Sequence, residues 1–400
     1  MLYNAFQDEQ LSALGFGAMR LPLLPDGSGE IDQAELDRMV DAAMAAGVNY
    51  FDTAYPYHGG RSEICLGKSL ARYPRKRWNL ADKFPGHQNV RGVTPMQPAE
   101  IFEEQLKRCG VDHFDFYLLH NVNENSLYYY GNPENHFIEY FLEQKARGRI
   151  RHLGFSCHAA PPALEQFLSL YGEHMEFCQI QLNYVDWKLQ DAEKKVEILR
   201  QAGIPVWVME PVRGGKLARF SDEIEARMRA LRPEESTPAW AFRWLRTVPR
   251  PTMILSGMSN LAQMQDNLKT FSEHKPLNAQ ELKLLEEVAA GIARLIPCTG
   301  CRYCCPGCPM GLDIPTLMSF SNDMAVGSSF NTVARYTALG DGHRADSCIG
   351  CGQCTSACPQ KINVPEEMEK LAEVMSRQKT WEEICRERAA AAEALKAKKQ

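Results

Sequence analysis

The 400-residue sequence predicts a closed barrel of eight parallel β-strands alternating with α-helices, followed by a mainly helical, cysteine-rich module. Eight short apolar runs alternate with segments of helical periodicity, which is the pattern of such a barrel. An open doubly wound sheet is the alternative, although such sheets usually contain fewer strands. Pro297 then separates a region of ordinary composition from one rich in cysteine. We therefore expect two domains, at residues 1–296 and 297–400.

Composition excludes several classes of protein. The chain is 44% hydrophobic and 24% charged, with a net charge of −5, so no basic excess suggests nucleic acid. No apolar run reaches transmembrane length, and the first residues lack a basic region followed by an apolar core. Nine of the 14 cysteines lie between Cys298 and Cys358, which favours metal binding in a reducing compartment over disulfides. We expect a cytoplasmic protein that binds neither nucleic acid nor membrane.

Each predicted strand is a short apolar run, and each predicted helix shows apolar side chains three and four residues apart. The first helix begins at a capping box, Asp32 to Glu35, and ends at Gly47. The predicted strands cover residues 14–19, 48–51, 79–83, 114–120, 150–156, 177–183, 204–210 and 252–257. The later predicted helices cover residues 62–70, 98–109, 134–147, 162–170, 191–202, 238–246, 261–269 and 277–296, and a polar loop covers 121–133.

Four polar residues follow or end three consecutive predicted strands: Asp52, Tyr57, Lys83 and His120. Hydride addition to a carbonyl carbon leaves an alkoxide, which needs a proton. A tyrosine with a pKa of about 10 becomes a better donor when a nearby lysine stabilises its phenolate. Asp52 would hold Lys83, and His120 would donate a hydrogen bond to the carbonyl oxygen. The alternative, that each is an ordinary polar group at a strand end, fits one residue better than all four.

In this order and setting, Asp52, Tyr57, Lys83 and His120 resemble the catalytic tetrad of the aldo-keto reductases, and the resemblance extends from about Leu14 to Leu268. It implies a bound NAD(P)H, with Ser156 and Gln179 on the nicotinamide carboxamide. A helix start after a strand suits the pyrophosphate and adenosine. Gln179 and Gln181 have an alternative interpretation as part of a polar layer inside the barrel. The residues expected to contact the nucleotide are Gly17, Met19, Asp52, Ser156, Gln179, Pro211, Gly257, Met258, Gln263 and Asn267.

Three positions depart from the family pattern. Cys157 stands where an asparagine commonly follows the serine, and Met209 where an aromatic side chain commonly stacks on the nicotinamide. Residues 256–263 contain no lysine or arginine for the 2′-phosphate of NADPH. The segment favours NADH, or use of both nucleotides, unless Lys216 or Arg219 supplies the charge.

The cysteines form two copies of the spacing Cys-x₂-Cys-x₂-Cys-x₃-Cys-Pro. This is the spacing of a two-[4Fe–4S] ferredoxin-like module, in which the fourth cysteine of each copy ligates the other cluster. Zinc is the alternative, but the repeated triplet fits zinc poorly. We assign one cluster to Cys298, Cys301, Cys304 and Cys358, and the other to Cys308, Cys348, Cys351 and Cys354, leaving Cys305 spare.

The sequence thus predicts an NAD(P)H-dependent reductase of small aldehydes or ketones, coupled to two electron-transferring [4Fe–4S] clusters. One alternative is an oxidoreductase that exchanges electrons with a ferredoxin or a flavoprotein. Another is a redox sensor that binds nicotinamide and clusters without turnover. A purely structural role for the clusters also stays open, because a small cysteine-rich module has little core of its own. The residues after Arg386 are too sparse in apolar side chains to pack, so we expect a frayed helix there.

Overall fold

Eight parallel strands close into a barrel in a computed structural model of the chain, and each pairs with its neighbours in sequence, the last with the first. The structure describes residues 1–89, 96–124, 126–292, 296, 298, 302, 304–326, 330–358, 361–380, 382–387 and 390. The barrel is formed by β3 to β10, and β1 and β2 form a separate hairpin. The strands are β1 (Tyr3–Phe6), β2 (Glu9–Ser12), β3 (Leu14–Gly17), β4 (Tyr50–Asp52), β5 (Asn79–Phe84), β6 (Phe114–Val122), β7 (Ile150–Cys157), β8 (Cys178–Gln181), β9 (Val206–Met209) and β10 (Met253–Gly257).

The helices of the barrel region lie between and after these strands. They are α1 (Gln33–Ala45), α2 (Arg61–Leu70), α3 (Pro98–Cys109), α4 (Leu127–Tyr130), α5 (Phe137–Ala146), α6 (Pro161–Tyr171), α7 (Asp186–Leu189), α8 (Ala192–Gln201), α9 (Asp222–Leu231), α10 (Thr237–Thr247), α11 (Leu261–Thr270) and α12 (Ala279–Ile292). The predicted barrel is confirmed and the open sheet is excluded, because β10 pairs with β3 and closes the sheet. Asp32 caps α1 by accepting the backbone N–H of Glu35, as its capping box predicts.

The hairpin of β1 and β2 was not predicted, because two four-residue strands give too little alternation to recognise. Its Phe6 is 3% exposed and packs edge to face on Trp207, with ring centroids 4.8 Å apart. Tyr50, Phe116 and Phe177 complete this interior aromatic layer. Since side chains fill the barrel interior, the carboxyl ends of the strands are left for a binding site.

The prediction of a polar loop at residues 121–133 is partly wrong. β6 continues to Val122, and the tyrosine-rich segment forms α4. Tyr130 is fully buried, and its hydroxyl donates to the backbone oxygens of His120 and Phe84 at 2.9 and 3.2 Å. The aromatic rings bury more apolar surface than a solvated loop would, so the segment packs on the barrel instead.

The cysteine-rich module contains α13 (Ile314–Val326), α14 (Phe330–Ala338), α15 (Gln353–Ala357) and α16 (Val364–Ser376). Its buried side chains, among them Leu317, Phe320, Met368 and Leu371, form a hydrophobic cluster distinct from that of the barrel. A core of its own is what we expect of a separate domain.

Polar contacts dock the module on the carboxyl end of the barrel. Asp323 of α13 pairs with Arg213, and it accepts a hydrogen bond from Gln190 at 3.1 Å. Asn331 of α14 lies 2.8 Å from His158, and Arg335 lies 3.6 Å from Glu124. The module therefore lies beside the end of the barrel where the strands deliver their polar residues.

Three sequence predictions lie outside the described residues: the boundary at Pro297, the cluster ligand Cys301 and the frayed tail beyond residue 390. Within the part of the chain that the structure describes, no helix is both long enough and apolar enough to cross a membrane.

Candidate active site and iron–sulfur module

The four predicted catalytic residues converge at the carboxyl end of the barrel. Asp52 ends β4, Lys83 lies near the end of β5, and His120 lies near the end of β6. Lys83 Nζ donates to Asp52 Oδ1 at 2.5 Å and to the backbone oxygen of Thr53 at 2.6 Å. Lys83 Nζ is 5.1 Å from the centre of the Tyr57 ring, and the rings of Tyr57 and His120 meet edge to face at 5.9 Å.

Burial and charge act against each other in this group. Asp52 and Lys83 are 3% and 0% exposed. Burial lowers the pKa of Lys83, but the charges of Asp52 and Tyr57 outweigh it and leave the pKa of Lys83 above its usual value. Burial raises the pKa of Tyr57, and Lys83 lowers it by less. The sequence analysis predicted the direction of the Lys83 effect but missed the larger effect of burial, so Tyr57 stays a protonated phenol at neutral pH.

A single cavity of about 740 Å³ opens at this end of the barrel. All four predicted catalytic residues line it, and so do all the residues that the sequence analysis expected at the nucleotide. Its lining includes Gly17, Met19, Asp52, Tyr57, Lys83, His120, Ser156, Gln179, Pro211, Gly257, Met258, Gln263 and Asn267.

The part of this cavity where the sequence analysis expects the nucleotide contains a buried hydrogen-bond acceptor that has no donor among the described residues. Gln179 is 3% exposed, and its Oε1 has no hydrogen-bond partner among the described residues. Ser156 Oγ accepts the backbone N–H of Asn121 at 2.7 Å, and Asn267 Nδ2 donates to Ser256 Oγ at 3.0 Å. A buried amide oxygen facing a cavity needs a donor. The carboxamide N–H of a nicotinamide would supply one, so the residues present fit this cofactor.

Arg20 is a cavity residue that the sequence analysis missed. Its guanidinium lies 3.6 Å from Glu210, and its side chain passes Gly257, where an added Cβ would lie 3.5 Å from it. Lys216 also lines the cavity, whereas Arg219 is not among the described lining residues. Arg20 follows a predicted strand directly. That position at a strand end could have identified Arg20, but the sequence analysis considered only residues 256–263, Lys216 and Arg219 as sources of a cation.

The two departures at strand ends differ in their surroundings. Met209 lines the cavity at the end of β9, where an aromatic side chain was expected. Cys157 is fully buried in β7, and burial raises the pKa of its thiol to about 11. Cys157 therefore stays a protonated thiol at neutral pH.

In the module, four cysteines line a second, much smaller cavity of about 20 Å³. They are Cys308, Cys348, Cys351 and Cys354, the set assigned to one cluster from spacing. Leu312, Ile314 and Met368 supply apolar wall. Four thiols around an apolar pocket suit an iron–sulfur cluster chemically. Among the described residues, no group of three or more Cys, His, Asp or Glu is arranged to hold a single metal ion.

The other cysteine set is described in part. Cys298 and Cys305 both lie close enough to Cys304 to influence its thiol. Cys358 packs at the edge of the module's hydrophobic cluster, as do Cys298 and Cys305. The structure thus brings Cys298 near Cys304, and it also places the spare Cys305 there.

Comparison with known proteins gives two matches that divide the chain. Residues 13–290 match the aldo/keto reductase family, and residues 297–363 match the 4Fe-4S dicluster domain. The chain is 23% identical to the NADH-specific methylglyoxal reductase of Escherichia coli K12, over 72% of this chain and 97% of that protein.

Two solved structures share the fold of the barrel. The holo form of an aldo-keto reductase from Bacillus halodurans matches with a TM-score of 0.57 and 24% identity, over 72% of this chain and 96% of that one. An aldo/keto reductase from Klebsiella pneumoniae in complex with NADP and acetate matches with a TM-score of 0.54 and 20% identity, over 71% and 93%. The family match covers well over half of the chain and includes every strand of the barrel. The protein is therefore an NAD(P)-dependent oxidoreductase that belongs to the aldo/keto reductase family and carries a C-terminal 4Fe-4S domain.

Proposed function

We propose that the barrel reduces the carbonyl group of a small aldehyde or ketone to an alcohol, with Tyr57 as the general acid. The observation that supports this most is the buried contact of 2.5 Å between Lys83 Nζ and Asp52, beside Tyr57 and His120 in one cavity. Reduced nicotinamide bound in that cavity supplies a hydride. The methylglyoxal reductase named above acts on a small carbonyl compound, which is consistent with the proposal.

Each residue has one task in this proposal. Tyr57 gives its proton to the developing alkoxide, and Lys83 stabilises the phenolate that remains. Asp52 holds the Lys83 ammonium in place through their hydrogen bond. His120 donates a hydrogen bond to the carbonyl oxygen, which carries negative charge in the transition state. Since burial strengthens charge interactions, the contribution of Lys83 is larger here than it would be in water.

We infer that the nucleotide lies along the part of the cavity formed by β3 and by the carboxyl ends of β7, β8, β9 and β10. Gln179 and Ser156 would take its carboxamide, and Gly257, Gln263 and Asn267 its phosphates and adenosine. The two relatives differ in nucleotide, since one is NADH-specific and the other was solved with NADP. We propose that this protein uses NADH or both nucleotides, in the cytoplasm.

Replacement of Tyr57 by phenylalanine tests the reduction. Tyr57→Phe removes the proton donor and little volume, so kcat for NAD(P)H-dependent aldehyde reduction should fall about 100-fold or more. The dissociation constant of the nucleotide, measured by fluorescence quenching, should change little. Tyr55→Phe is the matched control, because Tyr55 donates to Glu104 and is absent from the described cavity lining. A Tyr57→Phe enzyme that keeps most of the wild-type kcat would refute the assignment.

We further propose that the module holds two [4Fe–4S] clusters that exchange electrons with a ferredoxin or flavoprotein. Contacts between the domains support this, because Asp323 of the module pairs with Arg213, and Arg213 lines the barrel cavity. A module that served only as a folded appendage would need no buried contact with the catalytic cavity. This second candidate function is tested through the cluster cysteines.

A further inference from the structure

The wall of the cavity along β5 to β8 is built almost wholly from polar side chains. Each of the strands β5, β6, β7 and β8 contributes one near its carboxyl end: His87, Asn121, His158 and Gln181. The module adds a fifth, Asn331 of α14. We call these five residues the polar wall. The rings of His87 and His120 meet at 4.5 Å, so the wall begins directly beside the proposed carbonyl site.

Apolar side chains are concentrated elsewhere in the cavity. Among the described lining residues, β5 to β8 and the segments just after them contribute no aliphatic or aromatic side chain apart from the histidine rings. Apart from Tyr57, the apolar lining residues are Met19, Pro56, Met209, Pro211, Val212, Ala218, Pro238, Phe242, Leu255 and Met258, and none of them belongs to β5, β6, β7 or β8. A substrate chain that extends from the carbonyl site along β5 to β8 would therefore meet polar groups.

Asn331 is held in a defined orientation by the barrel. Its Nδ2 lies 2.8 Å from Nδ1 of His158. Burial, then the nearby Lys195, lower the pKa of His158 to about 3, so its ring is neutral and can accept the amide N–H. Asn331 Oδ1 has no hydrogen-bond partner among the described residues and is buried. Asn331 lines the cavity, and its Oδ1 is an acceptor that no described protein group uses.

We propose that the substrate is a carbonyl compound with hydroxyl groups next to the carbonyl, and that Asn331 of the iron–sulfur module is a specificity-determining residue that accepts a hydrogen bond from one of them. The inference rests on the proposed carbonyl reduction. A site with buried hydrogen-bonding groups rejects an analogue that lacks the matching hydroxyl, because those groups are then left without partners. The polar wall would thus pair with a hydroxylated chain and disfavour an alkyl chain.

Glyceraldehyde and propanal provide the test, because both have three carbons and only the first carries hydroxyl groups. We expect the intact, cluster-loaded protein to show a kcat/KM at least about ten-fold higher for glyceraldehyde, with concentrations expressed as free aldehyde. Asn331→Leu, of similar volume, should lower kcat/KM for glyceraldehyde about ten-fold and leave that for propanal within about two-fold. Asn331→Ser keeps a hydroxyl with shorter reach and should fall between.

Asn363→Leu is the matched control, since Asn363 is an exposed residue of the same module and pairs with Glu366. It should leave the ratio of the two kcat/KM values unchanged. A wild-type preference for propanal overturns the inference, and so does a ratio that survives in both Asn331 variants. Equal losses for both aldehydes also overturn it, because they would mark Asn331 as structural. If neither aldehyde is reduced while NAD(P)H still binds, the proposed carbonyl reduction itself fails.

Discussion

Tyr57, the general acid that we propose, shows how burial and charge together set the protonation of one residue. Burial favours the neutral phenol, and Lys83 favours the phenolate. Because burial has the larger effect, the pKa of Tyr57 lies above its usual value of about 10 and the proton is present throughout the neutral range. In the mechanism that we propose, Lys83 would then act mainly in the transition state, when the phenol loses that proton to the substrate.

Arg20 leads to a prediction about nucleotide binding. Its aliphatic stem passes Gly257 and its guanidinium lies 3.6 Å from Glu210, in the part of the cavity that we assign to the nucleotide. A partly exposed arginine that lines this groove is suited to bind a phosphate. Arg20→Gln should therefore raise the dissociation constant of NAD(P)H about ten-fold, measured by fluorescence titration at low salt, and the loss should shrink as salt is added.

Variants of the two other cations separate the possible sources of charge. Lys216→Gln should weaken binding of NADPH more than of NADH if Lys216 contacts the 2′-phosphate. Arg219→Gln is the control, because Arg219 is absent from the described cavity lining. Wild-type affinity in Arg20→Gln together with lost affinity in Arg219→Gln would show that the phosphates lie elsewhere.

At the scale of elements, the close packing of α2 against α3 depends on a glycine. Gly67 of α2 faces the backbone of Cys109 at the end of α3, and an added Cβ would lie 2.3 Å from the Cys109 carbonyl oxygen. Behind Lys83, Arg108 of α3 pairs with the fully buried Glu63 of α2 at 2.8 Å. The missing side chain at position 67 therefore permits the close helix contact that these buried charges require.

Gly67→Ala should be destabilising, although alanine is the better helix former. The added methyl group has no space and must push the two helices apart, which costs about 1–3 kcal/mol in the free energy of unfolding. Helix propensity alone would stabilise the protein by about 1 kcal/mol. Chemical denaturation decides between these signs. In Gly172→Ala the Cβ would meet Leu168 at an ordinary 3.5 Å, so this control should be neutral within about 0.5 kcal/mol.

At the scale of the whole molecule, the module lies beside the carboxyl end of the barrel, where the cavity opens. Arg213 lies between Asp186 of the barrel and Asp323 of the module, and all three are at most 6% exposed. Removing one member of such a buried group leaves charge uncompensated, so the contact fixes the position of the module. Arg213 belongs to the segment 209–216, which lines the cavity. One segment after β9 therefore contributes both to the proposed nucleotide site and to the contact with the module.

Replacing cluster cysteines tests whether the clusters conduct electrons. Cys351→Ser should remove one cluster and lower the iron content by about four atoms per chain. It should also abolish the reoxidation of dithionite-reduced clusters by a carbonyl substrate or NAD(P)⁺, and spare NAD(P)H-dependent turnover. Cys305→Ser is the matched control, since Cys305 is spare in the assigned ligand sets, and it should keep both clusters.

The opposite result has an equally clear signature. If the clusters serve only to fold the module, Cys351→Ser should unfold it, with loss of helical circular dichroism and of the second cluster as well. Wild-type clusters that are reduced normally but are reoxidised by no ligand of the barrel would also rule out electron transfer through it.

The sequence by itself determined the features that depend on local pattern. The period of the apolar residues indicated eight strands. The polar residues at the strand ends indicated that Asp52, Tyr57, Lys83 and His120 would lie together, and the repeated cysteine spacing indicated the 4Fe-4S domain. The tertiary structure alone decided the rest, because it depends on contacts between residues far apart in sequence. Arg20 reaches Glu210 across 190 positions, and Asn331 reaches His158 across 173. Whether Tyr57 keeps its proton depends on burial by several strands at once, and no local pattern records that.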